Sequence, residues 1–364
     1  MIKIIRTFRE LERIKHDWNE LLGSSDLNEV FLTHEWINIW ARHFLKDKEL
    51  FIICIYNDGG KMDAIVPCWK SRFFVFFNVL RFISDDFSDY LGAIVRSSGD
   101  YKMITRKILE VIKKESKTDI IYFRQVPEKF KNALSDCKIF KSKEKESGSC
   151  YYIKLPSTID SYVGKFNSKQ RYNILKRVKK AEENSISYLN SGVLPEDNPG
   201  ILIERFFELH QKRWNIKGKL GVFYNDKIRS FFKDLFLAFY KSKILVLSFL
   251  KYEGNYIAGS VSFDRAGKRQ VYLPGFDPSY SNFHPGIVLT YYNIREAIDK
   301  KYGEFDFLKG NEDYKKRFLG VKRKNYKIFL FRNAIVFYIY KINLFFKNEF
   351  LRKILNLRRI KKNG

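Results

Sequence analysis

The segment YGEFDFLKGNEDYKKRFLG, Tyr302–Gly320, guides the interpretation of the rest of the chain. Glu304–Leu308 alternates acidic and apolar side chains, which is typical of a strand. The strand ends at Lys309-Gly310, and acidic residues and the pair Tyr314-Lys315 follow it. Such an arrangement can direct charge into a cleft. An ordinary surface turn is the alternative, and in both interpretations we expect Lys315 to be solvated and to contribute little to stability.

The composition predicts a large folded protein with an anionic partner. The chain has 364 residues, of which 45% are hydrophobic, so it can bury the cores of two domains. Its formal net charge of +27 favours nucleic acid, a membrane surface or a phosphorylated substrate. Lysine-rich usage from an AT-biased genome explains the same charge, and both explanations stay open.

Cysteine and histidine spacing gives no sign of a metal site. The four cysteines lack CxxC spacing, and the five histidines form no HExxH motif. Buried thiols in a reducing compartment are therefore expected. The N-terminus does not resemble a signal peptide, and no apolar run reaches the roughly 18 residues of a spanning helix. We expect a cytoplasmic protein.

An internal repeat predicts a duplicated α/β architecture with mixed sheets. The order strand, glycine turn, strand, long segment, helix, strand occurs at 50–124 and again at 244–309. The polar run KSKEKESGS at 141–149 separates the copies and is read as a linker. The predicted units are an N-terminal domain (1–149), a C-terminal domain (150–332) and a tail (333–364).

A second candidate site feature is the loop-to-helix junction His284-Pro285-Gly286-Ile287. Free N–H groups at a helix start attract anions, and a glycine lets a ligand approach the backbone. The strand Gln270–Gly275 leads into this junction, and Glu304–Leu308 leads into the Glu312–Lys315 turn. Consecutive strands joined by a helix usually lie side by side and parallel, so both features are expected to face one cavity.

The tail combines an apolar run with a basic end. Ile335–Phe346 is apolar and aromatic, and Phe350–Lys362 is rich in Arg and Lys. The pattern predicts a basic amphipathic helix. Two interpretations of this helix stay open. In one it lies on the inner face of an anionic membrane, and in the other it packs on the second domain with a basic outer surface.

Many loosely spaced positions resemble the CelD-like branch of the GNAT acyltransferase superfamily, which is related to the Fem-type aminoacyl-transferases. The resemblance covers nearly the whole of 1–330 and rests on Leu209-His210, Arg213-Trp214, Gly254, Ile257-Ala258, Gly275-Phe276-Asp277, Pro285-Gly286, Asp306-Phe307-Leu308, Gly310 and Tyr314-Lys315, with Ser168-Lys169, Arg171, Phe31, Trp36, Pro67 and Asp89-Tyr90. It implies tandem GNAT-like domains and an acyl or aminoacyl transfer to an amine or hydroxyl.

The resemblance also implies roles for individual residues. His284, Pro285, Gly286 and Ile287 occupy the position where GNAT enzymes hold a donor pyrophosphate, although the fuller RxxGxG/A pattern is absent. Lys315 would supply positive charge, Glu312 the base, and Asp306 a base or an orienting carboxylate. The remaining implied contacts are substrate-binding ones from Arg171, His210, Arg213, Tyr314 and Asp89.

The implied activity is acyl transfer from an activated donor to a small-molecule, glycan-linked or lipid-linked acceptor of the cell envelope or of polysaccharide synthesis. Transfer of groups other than aminoacyl is favoured, with acyl-CoA as donor and no metal, but aminoacyl-tRNA stays open. A nucleic-acid-binding protein and a catalytically inactive scaffold are the alternatives. Nucleic acid is disfavoured because the lysines are spread over all segments and no binding motif is present.

Overall fold

The computed structural model describes residues 1–45, 50–73, 77–191, 198–216 and 218–341. Within these ranges one sheet contains the strands β1 (Ile2–Ile5), β2 (Leu50–Tyr56), β3 (Met62–Phe73), β4 (Phe77–Phe82), β5 (Ile94–Val95), β6 (Ile120–Pro127), β7 (Lys141–Lys154), β8 (Ser187–Asn190), β9 (Leu245–Tyr252), β10 (Asn255–Arg265), β11 (Lys268–Phe276), β12 (Glu304–Lys309) and β13 (Val321–Phe331).

Helices cover the sheet on both faces. They are α1 (Phe8–Arg13), α2 (Lys15–Gly23), α3 (His34–Phe44), α4 (Tyr101–Glu115), α5 (Glu128–Asp136), α6 (Ile159–Gly164), α7 (Ser168–Glu183), α8 (Pro199–Asn215), α9 (Asp226–Lys241), α10 (Pro285–Asp299), α11 (Asp313–Arg317) and α12 (described over 334–341). The sequence predicts helix caps at Thr33 and Asn167, and their side chains do cap α3 and α7. Apolar spacing predicts a single helix over Leu11–Leu22; this prediction is wrong, because the helix breaks at Ile14 into α1 and α2.

The sheet consists of two halves with the same strand order. The first half runs β1-β2-β3-β4-β6-β13, and the second runs β8-β9-β10-β11-β12-β7. In both halves the first four strands are antiparallel, the fourth and fifth are parallel, and the sixth is antiparallel to the fifth. The predicted duplication of 50–124 and 244–309 is therefore confirmed, and the fold is a mixed α/β sheet.

The two halves exchange their sixth strands. β7 follows the first half in sequence but pairs with β12, whereas β13 follows the second half and pairs with β6. The two exchanged strands also pair with each other along 141–152. The polar run 141–149 is thus not a loop, as the linker interpretation required, because it lies in β7. The proposed boundary at 149/150 falls inside this strand and stays a prediction.

A shared aromatic core joins the halves. Trp36 of α3 is fully buried, and its ring lies 5.7 Å from those of Phe263 and Tyr272 in the second half. Its indole nitrogen donates a hydrogen bond to Ser84 Oγ at 2.7 Å. The helical spacing of Trp36 and Trp40 predicts that both belong to the core, and their burial confirms it. Through these contacts α3 fixes one half against the other.

The C-terminal tail lies mostly outside the described residues. Its first part forms α12, whose Val336, Phe337 and Tyr340 pack against Phe331 and neighbouring side chains of the first half. Within the described ranges no helix has both the length and the apolar content needed to cross a membrane.

Candidate active site

A cavity opens where β11 and β12 part. The parallel pairing of these strands runs from Lys268 opposite Glu304 to Gln270 opposite Asp306 and then ends. Beyond this point the strands enclose a cavity of about 330 Å³, mostly walled by apolar side chains. Its lining comprises Arg213, Ser260, Val271, Pro274, Gly275, Phe276, Ser281, His284, Pro285, Gly286, Ile287, Leu289, Thr290, Asn293, Phe305, Phe307 and Tyr314.

The start of α10 forms one wall of the cavity. His284 adopts a left-handed conformation (φ 50°) and Pro285 begins the helix, so the first turn faces the cavity. No described residue accepts a hydrogen bond from the Gly286 amide. Free amides and the helix dipole together favour a negatively charged group at this position.

Two cations of α7 flank the same helix start. Burial and the nearby positive charges of Arg177 and Lys180 hold the pKa of His284 below its usual range. The Lys180 ammonium also donates to the Asn282 carbonyl at 3.1 Å. Arg177 forms no ion pair within the described part of the chain. The region around the α10 start is therefore electropositive beyond the helix dipole itself.

Buried ion pairs fix α10 against the sheet. Arg269 of β11 is fully buried and pairs with Asp264 at 2.7 Å and with Glu296 of α10 at 3.0 Å. Nearer the cavity, the Asn293 amide donates to Ser260 Oγ at 2.9 Å. These contacts set the position of the helix start relative to the parted strands.

Arg213 brings a positive charge into the mostly apolar cavity. Its guanidinium donates to the Pro274 carbonyl at 3.0 Å and lies 5.5 Å from the centre of the Phe276 ring. Burial lowers the pKa of Arg213, and nearby Tyr314 and Glu312 partly oppose this effect. No described carboxylate forms a salt bridge with it. A partly desolvated cation without a counter-charge favours an anionic or strongly polar ligand group.

Tyr314 reaches the cavity from the turn after β12. Its ring meets that of Phe307 edge to face, with centroids 5.9 Å apart. Burial raises the pKa of Tyr314, so its hydroxyl stays a neutral hydrogen-bond donor at physiological pH. The predicted convergence of the Pro285-Gly286 helix start and the Glu312–Lys315 turn on one cavity is confirmed for Gly286 and Tyr314.

The Glu312 carboxylate lies over the backbone of Gly310. A Cβ atom at Gly310 would stand 2.1 Å from Glu312 Oε2, so the carboxylate would have to move, and the φ of +140° would itself strain any other residue. The Glu312 side chain is 51% exposed and pairs with Lys315 at 3.0 Å. Glu312 thus lies next to Tyr314 but does not itself line the cavity.

The expectation that Lys315 is solvated is wrong. Lys315 is 2% exposed, and its ammonium donates to the carbonyls of Leu308 at 3.0 Å and Lys309 at 2.9 Å in addition to pairing with Glu312. It does not line the cavity. The end of β12 and the first turn of α11 thus bring the lysine against the two backbone carbonyls of Leu308 and Lys309.

Asp306 points away from the cavity. Alternation along β12 directs Phe305 and Phe307 into the cavity and Asp306 to the opposite face. There its carboxylate accepts hydrogen bonds at 2.7 Å from the Tyr90 hydroxyl and from the Leu308 amide. The Asp306 carboxylate is therefore separated from the cavity, whereas the sequence interpretation grouped Asp306 with Glu312 as a candidate base.

Asp89 and Asp306 stabilise an irregularity at the end of β12. The register against β7 shifts between Asp306 and Lys309, and Leu308 has a positive φ of 56°. Asp89 Oδ2 accepts the Lys309 amide at 3.1 Å, while Lys315 binds the carbonyls of the same segment. Bulges of this kind often lie beside active sites. These three charged residues hold the segment that precedes Tyr314.

Arg171 and His210 also lie outside the cavity lining. The Arg171 guanidinium donates to the carbonyls of Gly164 and Phe166, each at 3.3 Å. His210 is buried and accepts a hydrogen bond from the Trp214 indole at 3.0 Å, and burial lowers its pKa to about 4. His210 is therefore neutral at physiological pH. Its backbone packs against Gly275 at the cavity edge.

The equivalent position in the first half is filled. There the parallel pairing of β4 and β6 ends at Arg81 opposite Tyr122, and the next residues, Phe82 and Phe123, stack with centroids 4.1 Å apart. The corresponding helix, α4, is capped by Asp100, whose carboxylate accepts the amides of the first turn. The stacked rings fill the gap and the Asp100 carboxylate occupies the helix start, so this position of the first half offers no anion site like that at α10.

Sequence reasoning missed the cavity contributions of Ser260, Asn293 and Thr290 and the flanking charges of Arg177 and Lys180. Thr290 and Asn293 follow Gly286 at positions i+4 and i+7, so they lie on the same face of α10 as the predicted helix start. This helical spacing could have identified both residues from the sequence. The approach of α7 to α10 is a tertiary contact, for which the sequence holds no local signal. In the described residues no group of three His, Cys, Asp or Glu side chains is arranged to hold a metal ion.

Titration of Asp306 should make the protein less stable as the pH rises. Burial raises its pKa to about 7, against about 3.9 for an unfolded aspartate. Between these values the native state retains a proton that the unfolded state has lost, so the free energy of unfolding falls as the pH rises from about 4 to 7. In Asp306→Asn this part of the pH dependence should disappear, as urea unfolding at several pH values would show.

The exposed neighbour Asp313 provides the control for this experiment. Asp313→Asn should retain the pH dependence of the wild-type protein, because Asp313 is exposed. The asparagine at 306 can still accept from the Leu308 amide, and the Tyr90 hydroxyl can rotate to accept from its NH₂ group. Parallel pH profiles for wild type and Asp306→Asn would contradict the assignment.

Comparison with known proteins agrees with this geometry. Residues 168–316 match the family described as acetyltransferase (GNAT) domain, and this segment contains every residue that lines the cavity. The crystal structure of FemX superposes with a TM-score of 0.65 at 14% identity, covering 91% of this chain and 98% of that one. No curated protein matches the sequence.

Two further structures share the fold. A conserved protein of unknown function from Bacteroides thetaiotaomicron has a TM-score of 0.58 at 14% identity and covers 91% of this chain and 100% of its own. L-PGS from Bacillus licheniformis has a TM-score of 0.55 at 12% identity, with 88% and 92% covered. Residues 168–316 thus match a GNAT acetyltransferase domain, and the solved structures that share the fold of the chain include FemX. The assignment to the CelD-like branch stays a prediction.

Proposed function

We propose that the protein transfers an acyl group from an activated donor, bound between β11 and β12, to an amine or hydroxyl of an acceptor. The observation that carries this proposal is the cavity between the parted strands. Both the start of α10, with its free Gly286 amide, and Arg213, which has no described carboxylate partner, line this cavity. These features fit a donor that has a phosphate-bearing carrier and an uncharged thioester or ester arm. The anion site at the α10 start suits the phosphates, the mostly apolar cavity suits the arm, and Arg213 lies at the same location.

The residues present fit coenzyme A as the carrier. The Gly286 amide and the α10 dipole would hold its pyrophosphate, with Arg177 and Lys180 adding positive charge. The backbone of β11 beyond Gln270 has no strand partner on the β12 side, so it can pair with the amides of an extended arm. Acyl-CoA supplies the activated carbonyl carbon. Preference for it over an aminoacyl donor is part of the proposal.

Acyl transfer to an amine or hydroxyl requires a group that accepts the proton of the acceptor. It also requires stabilisation of the oxyanion that forms at the carbonyl of the donor. We assign the stabilising positive charge to Arg213, since the Lys315 ammonium is already occupied by two carbonyls and Glu312. The Tyr314 hydroxyl, kept neutral by its raised pKa, would donate a hydrogen bond or a proton to the leaving group. Glu312, half-exposed beside Tyr314, is the proposed base. Oxyanion donors of this kind contribute about 10²–10³-fold in rate.

The acceptor and the location in the cell belong to the same proposal. The acceptor is an amine or hydroxyl of a cell-envelope or polysaccharide precursor, and the location is the cytoplasm. Binding of a polynucleotide with a steep dependence on salt would favour the nucleic-acid alternative instead. Absence of donor binding would favour an inactive scaffold.

Gly286→Glu tests the donor site without weakening the helix. No atom lies within 4 Å of a Cβ at this position, so a side chain fits. A carboxylate in the first turn stabilises a helix, yet it repels phosphate from the same amides. We expect the affinity for coenzyme A, measured by isothermal titration calorimetry, to fall at least about tenfold with no loss of thermal stability.

Gly286→Gln is the matched control, because it has nearly the same shape without the charge. The affinity of Gly286→Gln for coenzyme A should be close to that of the wild-type protein, or should lie between the affinities of the wild-type protein and Gly286→Glu. Equal affinities for the Glu and Gln variants would place the phosphates elsewhere. A wild-type protein that does not bind coenzyme A would overturn the proposed donor.

A further inference from the structure

The helix α12 exposes an apolar stripe that no described part of the protein covers. Ile335, Tyr338 and Ile339 are 69%, 56% and 41% exposed. Their i, i+3, i+4 spacing puts them on one face of the helix. The other face, with Val336, Phe337 and Tyr340, is buried against the first half. The helix is therefore firmly seated and holds the stripe outward.

Three lysines without described carboxylate partners lie against the rings of α12, and one of them, Lys141, lies beside the stripe itself. The Lys141 ammonium lies 4.4 Å from the Phe337 ring centre and 5.1 Å from that of Tyr338. Lys143 lies 5.8 Å from the Tyr340 ring centre, and Lys341 lies 4.7 Å from that of Phe337. None of these lysines forms a salt bridge with a described carboxylate. The apolar stripe thus lies in a positively charged surface.

The chain that continues from this helix adds more positive charge. Residues 342–364 contain seven Lys or Arg residues and one Glu. The lysines beside this exposed apolar stripe and the basic composition of the chain that follows complement a surface that is negatively charged outside and apolar beneath. A second copy of this basic chain would instead meet like charge.

We propose that the α12 stripe, Ile335, Tyr338 and Ile339, docks the protein on a bilayer that carries anionic lipids. The apolar side chains enter the boundary between headgroups and acyl chains, while the lysines contact the headgroup phosphates. This docking is independent of the acyl transfer proposed above, because no residue of α12 lines the cavity.

Co-sedimentation of the full chain with vesicles tests this proposal. The wild-type protein should bind vesicles of equimolar phosphatidylcholine and phosphatidylglycerol and should not bind phosphatidylcholine alone. The variant I335S/Y338S/I339S should bind the anionic vesicles at least about tenfold more weakly. Lys141→Gln should weaken binding about fivefold by loss of one charge near the surface.

A matched control separates the stripe from general hydrophobicity. I216S/L220S/Y224S removes three apolar side chains that are 71%, 70% and 66% exposed elsewhere, and it should bind like the wild-type protein. Circular dichroism and light scattering report the fold and mass of each variant. The proposal is overturned if the stripe variant binds anionic vesicles as strongly as the wild-type protein does, or if the wild-type protein does not bind anionic vesicles. A stripe that instead mediates a dimer, seen as a halved mass in the stripe variant, overturns it as well.

Discussion

Lys315→Met should lower the free energy of unfolding by about 3 kcal/mol. The substitution keeps the side-chain volume but removes an ammonium that is 2% exposed and bonded to the carbonyls of Leu308 and Lys309. The Leu308 carbonyl is then left in a buried segment without a partner, and the irregular end of β12 loses its main tie to α11. Urea unfolding followed by tryptophan fluorescence would measure the change.

The neighbouring Lys316 is exposed in the same turn and provides a control with the same change of charge. Lys316→Met should alter the free energy of unfolding by no more than about 0.5 kcal/mol. Similar small effects for both variants would show that Lys315 is solvated after all and would reopen its proposed role as a charge at the reacting carbonyl.

Gly275→Ala should destabilise the protein by about 2–3 kcal/mol and weaken donor binding with it. A Cβ at this position would stand 2.5 Å from the backbone nitrogen and 2.8 Å from the Cα of His210, so α8 and β11 must move apart. The same movement displaces the Pro274 carbonyl from Arg213. Thermal unfolding and calorimetry with coenzyme A would record the two losses together.

Gly303→Ala is the matched control for this variant, because nothing lies within 4 Å of its Cβ position and it does not line the cavity. It should leave both stability and donor affinity close to the wild-type values. If Gly275→Ala is equally neutral, α8 and β11 are not in the close contact that the structure shows.

The local pattern of apolar and polar residues predicted most helices and strands, and the repeat of 50–124 in 244–309 predicted that both halves of the sheet share one strand order. The hairpins, the helix before β12 and the order of the strands follow from alternation, glycine turns and helical spacing. The exchange of β7 and β13 between the halves was not predictable. The polar run 141–149 has the composition of a linker, and only its pairing with β13 makes it a strand.

The sequence predicted which two loops meet at the candidate site, but it did not predict which charged residues line the cavity. The α10 start and Tyr314 meet in one cavity because both follow neighbouring parallel strands. Lys315 and Asp306 looked equally suited to chemistry, yet one is held by backbone carbonyls and the other lies on the opposite face of β12. Whether a charged residue serves an irregular backbone or a ligand depends on contacts that a single sequence does not contain.

A crystal structure of the protein with bound acetyl-CoA would show directly where the donor binds. We expect the pyrophosphate at the Gly286 amide and the acyl arm between β11 and β12, with its carbonyl within reach of Arg213 or Tyr314. A donor bound in the first half, or on α7 away from the cavity, would show that the proposed donor site is wrong.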